Sequence, residues 1–370
     1  MEGSRPAPVA EFDGWLAHLM ASEGSDLHVK VGSAPLIRMP DGLIRLDRDP
    51  LTPMETSAIA ESIIPEERLP RFEENGEIDF AYSLKDVGRF RANVFRQRGS
   101  VSMVFRKLRF GGPSFEEVGL PESIRSIADE HRGLILVTGP TGSGKTTTLA
   151  AMIDYINKTK PVHIVTIEDP IEVLHKDALA EINQREIGND TKDFLSALRA
   201  ALRQDPDVIL IGEMRDTETV RAALQAAETG HLVMSTLHTV DVTETVNRVI
   251  DFFPPYQQQQ IRYALAGTLR GIICQRLIPT VDGSRAPALE ILVNTGRVAE
   301  RIADPDKTNE IKEIVADGGY YGMVTFDQWL LKLVEEGKVT VDAAMKAVSS
   351  QHDFSLALQQ TGISAPMVNA

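Results

Sequence analysis

Apolar positions in the first hundred residues follow two periodicities. Val9, Phe12 and Leu16, continued by Leu19, recur at helical spacing and predict a helix with one buried face. The stretches that follow are short, and Gly, Pro and Asp residues separate them as they separate strands. The expected order is strand 27–31, strand 35–39, strand 42–46, helix 53–64 capped by Thr52, helix 66–74 and three strands within 77–108. This pattern predicts a small α+β domain over residues 1–108.

The pattern changes after a Gly-Gly-Pro segment, which we interpret as a linker over residues 109–116. Apolar runs and helical periodicities then alternate along the chain. Strands are expected at 134–138, 162–167, 208–211 and 232–236, and helices near 145–158, 193–203, 216–228, 241–251 and 256–273. Such alternation predicts an α/β fold with a mostly parallel sheet over residues 117–294, and ligands at the carboxyl ends of its strands. Residues 295–370 are expected to be a helical extension, in which Thr325 and Gln328 form a capping box.

Composition narrows the class of protein. The chain has 370 residues and a net charge of −14, which argues against a nucleic-acid binder. Its single cysteine, Cys274, excludes an intramolecular disulfide framework and a cysteine-rich zinc module. No apolar run approaches the ~20 residues of a membrane span, and no signal peptide is apparent at the first residues. These features favour a cytoplasmic protein.

A phosphate-binding loop follows the apolar run 134–137 directly. Its glycines let the backbone fold around phosphate oxygens, and the helix expected after it points free N–H groups at the same place. Lys145 can reach the β- and γ-phosphates, and the Thr146 hydroxyl can hold Mg²⁺. We therefore expect the chain to bind ATP with Mg²⁺. The residues expected to contact the nucleotide are Gly139, Pro140, Thr141, Gly142, Ser143, Gly144, Lys145, Thr146 and Thr147.

Three acidic segments could supply the carboxylate that hydrolysis needs. In segment 207–216 a strand delivers Glu213 to its tip, while Gly212 stands where a Walker B segment usually has an aspartate. We expect Glu213 to activate water or to assist the metal, alone or with Glu172 from segment 165–172. Glu168 and Asp169 of that second segment stay open alternatives. The third segment, 23–26, is expected to lie on the surface.

Two further features bear on the same chemistry. His238 ends a predicted strand on the ligand side, where it can sense the γ-phosphate; His231 precedes that strand and is expected to be structural. Residues 89–109 are rich in arginine, including Arg91 and Arg106. A solvated basic strand pair and a set of arginines that complete an ATP site, in this chain or in a neighbouring subunit, both explain this segment.

Together these segments resemble those of bacterial type IV pilus retraction ATPases, the PilT and PilU type of the secretion ATPase superfamily. The resemblance extends over residues 10–355 and depends on motifs at 139–148, 167–172, 204–216 and 228–239, with weaker ones at 25–28 and 88–97. It implies a PAS-like N-terminal domain joined to a RecA-like ATPase domain in a homo-hexamer. That ring would drive pilus disassembly through an inner-membrane platform protein, at the inner face of the cytoplasmic membrane.

The resemblance also assigns roles to individual residues. Lys145 and Thr146 match the Walker A lysine and the metal-binding hydroxyl, and Glu172 matches the Asp-box glutamate. Glu213 matches the Walker B glutamate usually taken as catalytic and associated with the metal, and the missing aspartate at Gly212 is a family trait. His231 and His238 match the His box. Arg91 and Arg106 match the paired arginines that the N-terminal domain sends toward the nucleotide.

One departure keeps alternatives open. Retraction motors carry the segment Ala-Ile-Arg-Asn-Leu-Ile-Arg-Glu, and residues 294–303 keep only its apolar spacing. The helical extension is closer to the accessory PilU type, which would work with a paired retraction or extension ATPase. A secretion or translocation ATPase is the remaining alternative, and the acidic charge, single cysteine and short front domain disfavour it.

Overall fold

The computed structural model describes residues 7–363 and divides into two compact units. We call them the small unit, Met1–Arg109, and the large unit, Phe110–Ala370. Residues 1–6 of the predicted α+β domain and residues 364–370 of the predicted helical extension lie outside the described residues. No helix among the described residues is both long and apolar enough to cross a membrane.

The small unit is a six-stranded antiparallel sheet with helices on one face. Its strand order is β3-β2-β1-β6-β5-β4. The elements are α1 (Ala7–Ala21), β1 (Asp26–Lys30), β2 (Leu36–Met39), β3 (Gly42–Arg45), α2 (Pro53–Ile63), a 3₁₀ turn (Glu66–Arg68), α3 (Leu69–Asn75), β4 (Glu77–Leu84), β5 (Gly88–Gln97) and β6 (Ser100–Lys107). The predicted order of helices and strands is confirmed here.

Alternation along the strands decides which face of this sheet packs. On β5 the side chains of Phe90, Ala92 and Val94 are fully buried, whereas Arg91 between them is exposed. The apolar face meets helix α1, where the rings of Phe12 and Phe105 lie 4.9 Å apart between centroids. The polar residues of the same strands therefore share the opposite face of the sheet.

The large unit is built on a seven-stranded sheet in the order β11-β9-β12-β13-β8-β14-β15. All neighbours pair in parallel except β14 and β15. Its first elements are β7 (Arg109–Phe110), α4 (Glu122–Ala128), β8 (Gly133–Thr138), α5 (Lys145–Thr159), β9 (His163–Glu168), β10 (Val173–Leu174), β11 (Glu181–Glu186), α6 (Phe194–Ala201), β12 (Val208–Ile211), α7 (Thr217–Glu228), β13 (Leu232–Leu237), α8 (Val242–Asp251) and α9 (Pro255–Thr268). The predicted mostly parallel sheet and its four strands are confirmed.

The helix expected over 256–273 is wrong in its last part. Helix α9 ends at Thr268, and the chain continues as β14 (Leu269–Pro279) and β15 (Arg285–Val293). Strand β14 lies between β8 and β15 with Leu269, Ile272 and Ile273 fully buried. A strand covered on both faces loses the apolar-polar alternation that identifies strands, and its apolar run is easily mistaken for a continuing helix.

From residue 296 to residue 363 the large unit consists mostly of short helices. They are α10 (Gly296–Ala303), α11 (Ile311–Asp317), α12 (Phe326–Glu335), α13 (Val341–Met345) and α14 (Gln351–Gln360), with 3₁₀ turns at Pro305–Glu310 and Gly319–Tyr321. The predicted capping box at the start of α12 is present, since Thr325 and Gln328 each bond the other's main-chain N–H.

Candidate active site

The phosphate loop connects the buried strand β8 to helix α5. Gly139 and Gly144 both have positive φ angles, 144° and 91°. A Cβ atom on Gly139 would lie 2.3 Å from the main-chain oxygen of Gln275, and one on Gly144 would lie 2.9 Å from the Gln275 amide nitrogen. Backbone conformation therefore requires glycine at both positions, and at Gly139 the nearby main chain of Gln275 also leaves no space for a side chain. The loop delivers the N-terminus of α5, where free N–H groups favour an anion.

Lys145 is the first residue of α5 and lies over the loop. Its Nζ donates to the carbonyl oxygens of Gly139 at 2.7 Å and of Pro140 at 3.1 Å. Burial lowers the pKa of the Lys145 ammonium, and the Glu213 carboxylate acts in the opposite direction. The ammonium thus lies beside the loop and within the field of an acidic side chain, as a phosphate-binding lysine requires.

A cavity of about 620 Å³ lies at the carboxyl ends of the parallel strands. It brings together most of the residues that the sequence predicted, although they come from four separate segments. Its lining includes Thr141, Gly142, Ser143, Gly144, Lys145, Thr146, Thr147, Glu172, Glu213 and His238. Gly139 and Pro140 form the start of the same loop; they are not part of the lining, but their carbonyl oxygens accept from Lys145. A triphosphate on the loop would therefore face the acidic residues across the cavity.

Glu213 follows β12 and is less exposed than Glu172, the other predicted carboxylate. Its side chain is 15% exposed and forms an ion pair with Arg215. The Nε2 atom of His238 lies 3.6 Å from the Glu213 carboxylate. The Thr236 hydroxyl donates to the Gly212 carbonyl at 2.6 Å, so β13 holds the chain just before Glu213. Two neighbouring strand tips thus fix a carboxylate and an imidazole side by side.

The two glutamates of segment 165–172, Glu168 and Glu172, lie in different environments. Glu168 is held by the Thr166 hydroxyl at 2.6 Å and by the Gln184 amide at 3.2 Å. Burial raises the pKa of Glu168, although these hydrogen bonds oppose the rise. Glu172, by contrast, is exposed, and Glu168, Asp169 and Glu172 all line the cavity. The segment therefore offers a hydrogen-bonded, partly buried carboxyl and an exposed one at the same cavity wall.

Arg91 and Arg106 lie directly opposite each other on β5 and β6 of the small unit. Arg91 lies 3.9 Å from Asp79, and the Nε of Arg106 lies 2.8 Å from the Asp26 carboxylate. Asp26 is only 7% exposed, so the expectation that segment 23–26 lies on the surface is wrong for this residue. Pairing brings the two arginines together across fifteen residues of sequence; their part in turnover stays a prediction.

His231 occupies the position expected of a structural residue. It precedes β13, and its Nδ1 lies 3.0 Å from the carbonyl oxygen of Ala226 at the end of α7. Among the described residues that line the cavity, His231 is not included. Its contacts are with the chain that leads into the strand, which agrees with a role in positioning that strand.

Sequence reasoning missed two residues of this region. Arg215 lies within the Glu213 segment and lines the cavity, and its acid partner raises the pKa of its guanidinium. Gln275 contacts the phosphate loop from β14. A charged residue two positions from the key glutamate was a signal that could have indicated Arg215. Nothing in the sequence indicated Gln275, because its strand was not predicted: residues 269–273 were interpreted as the end of a helix, and no element was assigned to residues 274–279.

A phosphate loop on a parallel sheet, with a glutamate and a histidine at the neighbouring strand tips, defines a P-loop ATPase. Comparison with known proteins agrees and is more specific. The family model described as "Type II/IV secretion system protein" matches residues 15–360, and the chain belongs to this family.

Curated relatives match over nearly the whole chain. The "Type IV pilus retractation ATPase PilT" of Pseudomonas aeruginosa is 42% identical over 92% of this chain and 98% of that protein. The "Type IV pilus ATPase PilU" of the same organism is 39% identical over 94% of this chain and 91% of that protein. A crystal structure of the pilus retraction motor PilT with bound ADP covers 92% of this chain at 45% identity, with a TM-score of 0.84. The α/β fold and ATPase class predicted from the sequence are confirmed.

Proposed function

We propose that this chain is the motor ATPase of type IV pilus retraction, which hydrolyses ATP to drive pilus disassembly and twitching motility. The similarity to a curated pilus retraction ATPase along 98% of that protein's length carries this proposal. The cavity supports it, since loop, glutamates and histidine lie together as hydrolysis of a triphosphate requires.

Each side chain then has a role in the reaction. Residues 139–147 cradle the phosphates, and the ammonium of Lys145 neutralises charge on the β- and γ-oxygens. Glu213 orients or deprotonates the attacking water, and Glu172 at the cavity wall assists it. His238, 3.6 Å from Glu213, detects the γ-phosphate and its loss. Arg91 and Arg106 stabilise the charge that develops in the transition state.

The residues present fit a Mg²⁺ ion carried by the nucleotide. Within residues 7–363, no group of three or more His, Cys, Asp or Glu side chains could hold a metal alone. Mg²⁺ in such sites takes one or two protein ligands and completes its shell with phosphate oxygens and water. Thr146 and Glu213, which line the cavity together, would hold it. When bound, the ion would neutralise charge on the β- and γ-phosphates.

The assembly follows the same proposal. We assign residues 1–108 to a PAS-like domain, 109–116 to a linker, 117–294 to a RecA-like domain and 295–370 to a helical region. Six copies form a ring in the cytoplasm, held at the inner face of the membrane by a pilus platform protein. In this proposal, ATP turnover in the ring is coupled to a conformational change that drives pilus disassembly.

The test is a chromosomal Lys145→Ala substitution in the source organism. We expect pili to be made but not retracted, and the purified variant to show no ATPase activity, because the phosphates lose their main cation. Lys158→Ala is the matched control: it is also on α5, but its ammonium pairs with Asp154 at 2.6 Å. Normal retraction with Lys145→Ala would contradict the proposal.

An accessory role beside a paired motor is the second candidate. The match to the PilU ATPase over 94% of this chain favours it. The two candidates differ in a deletion strain. Loss of retraction indicates the primary motor, whereas retraction that persists until a second retraction ATPase is removed indicates the accessory component.

A further inference from the structure

We propose that Gln275 is a positioning residue that sets the shape of the phosphate loop. It lies on β14, one residue beyond the pairing of Cys274 with Thr138. Thr138 is the last residue of β8, so Gln275 stands level with the start of the loop. This inference rests on the proposal that the loop binds the phosphates of ATP.

The Gln275 amide joins the loop to the first turn of α5. Its Nε2 donates to the Ser143 carbonyl at 2.5 Å, and its Oε1 accepts from the Thr148 hydroxyl at 2.8 Å. Gln275 and Thr148 are 2% and 3% exposed. Water cannot readily replace either bond at such burial, so loss of the amide leaves a buried carbonyl and a buried hydroxyl without their partner.

Gln275 also lies close to both Gly139 and Gly144 of the loop. Its main-chain oxygen faces Gly139 and its side-chain nitrogen faces Gly144, each too close for a Cβ atom. The loop therefore rests on Gln275 at both of its ends. Main-chain N–H groups that converge on a phosphate depend on their exact directions, and a small displacement of the loop weakens all of them together.

This position requires a neutral group with one donor and one acceptor, which the amide supplies. The Ser143 carbonyl needs a donor, and the Thr148 hydroxyl donates and needs an acceptor. A carboxylate would place an oxygen against the Ser143 oxygen. A protonated carboxyl, however, supplies one donor and one acceptor, as the amide does. The substitution Gln275→Glu should therefore act on the loop in a pH-dependent way.

The experiment measures the affinity of the full-length chain for fluorescently labelled ADP. The variants are Gln275→Glu and Gln275→Met, the second retaining length and volume without hydrogen bonds. Gln258→Glu is the matched control, since the Gln258 amide also donates to a main-chain carbonyl, that of Phe253 at 3.1 Å, on α9 outside the site.

We expect Gln275→Met to weaken ADP binding about tenfold or more, from two lost buried bonds. Gln275→Glu should be weakened strongly at about pH 8.5 and should approach the wild type at about pH 6, where the introduced carboxyl takes up a proton. Gln258→Glu should bind as the wild type at both pH values.

Two results would overturn the inference. One is wild-type affinity in Gln275→Met. The other is a loss in Gln275→Glu that does not change with pH and follows a lowered melting temperature, which would indicate a merely structural role. If Gln275→Glu does not fold, Gln275→Met decides alone. Failure of the wild type itself to bind labelled ADP would instead contradict the proposed function.

Discussion

The seven-stranded sheet of the large unit and the six-stranded sheet of the small unit place their charged side chains in different ways. In the large unit the central strands β8, β12 and β13 are buried along their length, and Glu213 and His238 lie just beyond the tips of β12 and β13. In the small unit one face of the sheet is packed, and Arg91 and Arg106 project from the other face, within β5 and near the end of β6.

This difference shows what fixes each set of residues. Parallel strands end at one edge, so any residue that follows a strand arrives at the same cavity. In an antiparallel sheet, register decides which side chains become neighbours, and Arg91 meets Arg106 only because β5 and β6 pair as they do. We expect the tip residues to govern the chemical step most strongly and the face residues to contribute less.

The largest effect is expected at the strand tips. Glu213→Gln keeps the shape of the side chain but removes its charge and basicity, so turnover should fall on the order of 10⁴-fold. ADP affinity should change little, because the loop is intact. Steady-state ATPase rates and labelled-ADP titrations measure the two effects. Glu218→Gln, exposed on α7, is the control and should be unaffected. Substantial turnover in Glu213→Gln would move the role of general base to Glu172.

A smaller loss is expected on the sheet face. Arg91→Ala should bind nucleotide and lose turnover by about 10³-fold, the lower end of what a transition-state arginine supplies. Arg98 is exposed in the turn between β5 and β6, so the control Arg98→Ala should hydrolyse ATP at the wild-type rate.

Arg106→Ala should have an ATPase rate similar to that of Arg91→Ala. It should also raise hydrogen exchange in β1, since the buried Asp26 carboxylate loses its cationic partner and keeps only the Ser25 hydroxyl. Unchanged ATPase rates in Arg91→Ala and Arg106→Ala would indicate that these arginines only form a solvated basic strand pair.

The smallest effect concerns stability and lies in the antiparallel part of the large sheet. Glu290 on β15 is 3% exposed and accepts the Val242 main-chain N–H at 2.9 Å. Burial raises its pKa from 4.5 to about 7. Between these values the folded chain holds a proton that the unfolded chain has released, so the unfolding free energy falls as the pH rises through this range.

Glu290→Gln removes this titration while keeping an acceptor for Val242. Its unfolding free energy relative to the wild type should increase with pH, approaching about 3 kcal/mol above about pH 8. Urea unfolding followed by Trp329 fluorescence in a Trp15→Phe background reports on the large unit, because the chain has two tryptophans. Glu300→Gln, at an exposed glutamate on α10, should show no gain. A gain independent of pH would mean that Glu290 titrates normally.

Much of the candidate site could be predicted because its motifs are local. The glycines within residues 139–147 determine the conformation of the loop. A glutamate or histidine directly after an apolar strand is expected at the tip of that strand. The burial of Asp26 and the strand β14 could not be predicted. The first depends on pairing with Arg106 across eighty residues, and the second on being covered by β8 and β15.

The sequence by itself determined the phosphate loop, the alternation of strands and helices and the set of acidic tips, since each follows from periodicity or from residue types at short spacing. Only the tertiary structure decided which strand supports the loop. Gln275 reaches Ser143 from a position 132 residues later, because β14 pairs in parallel with β8. Such a contact depends on the register of two strands, and no local pattern encodes register between distant segments.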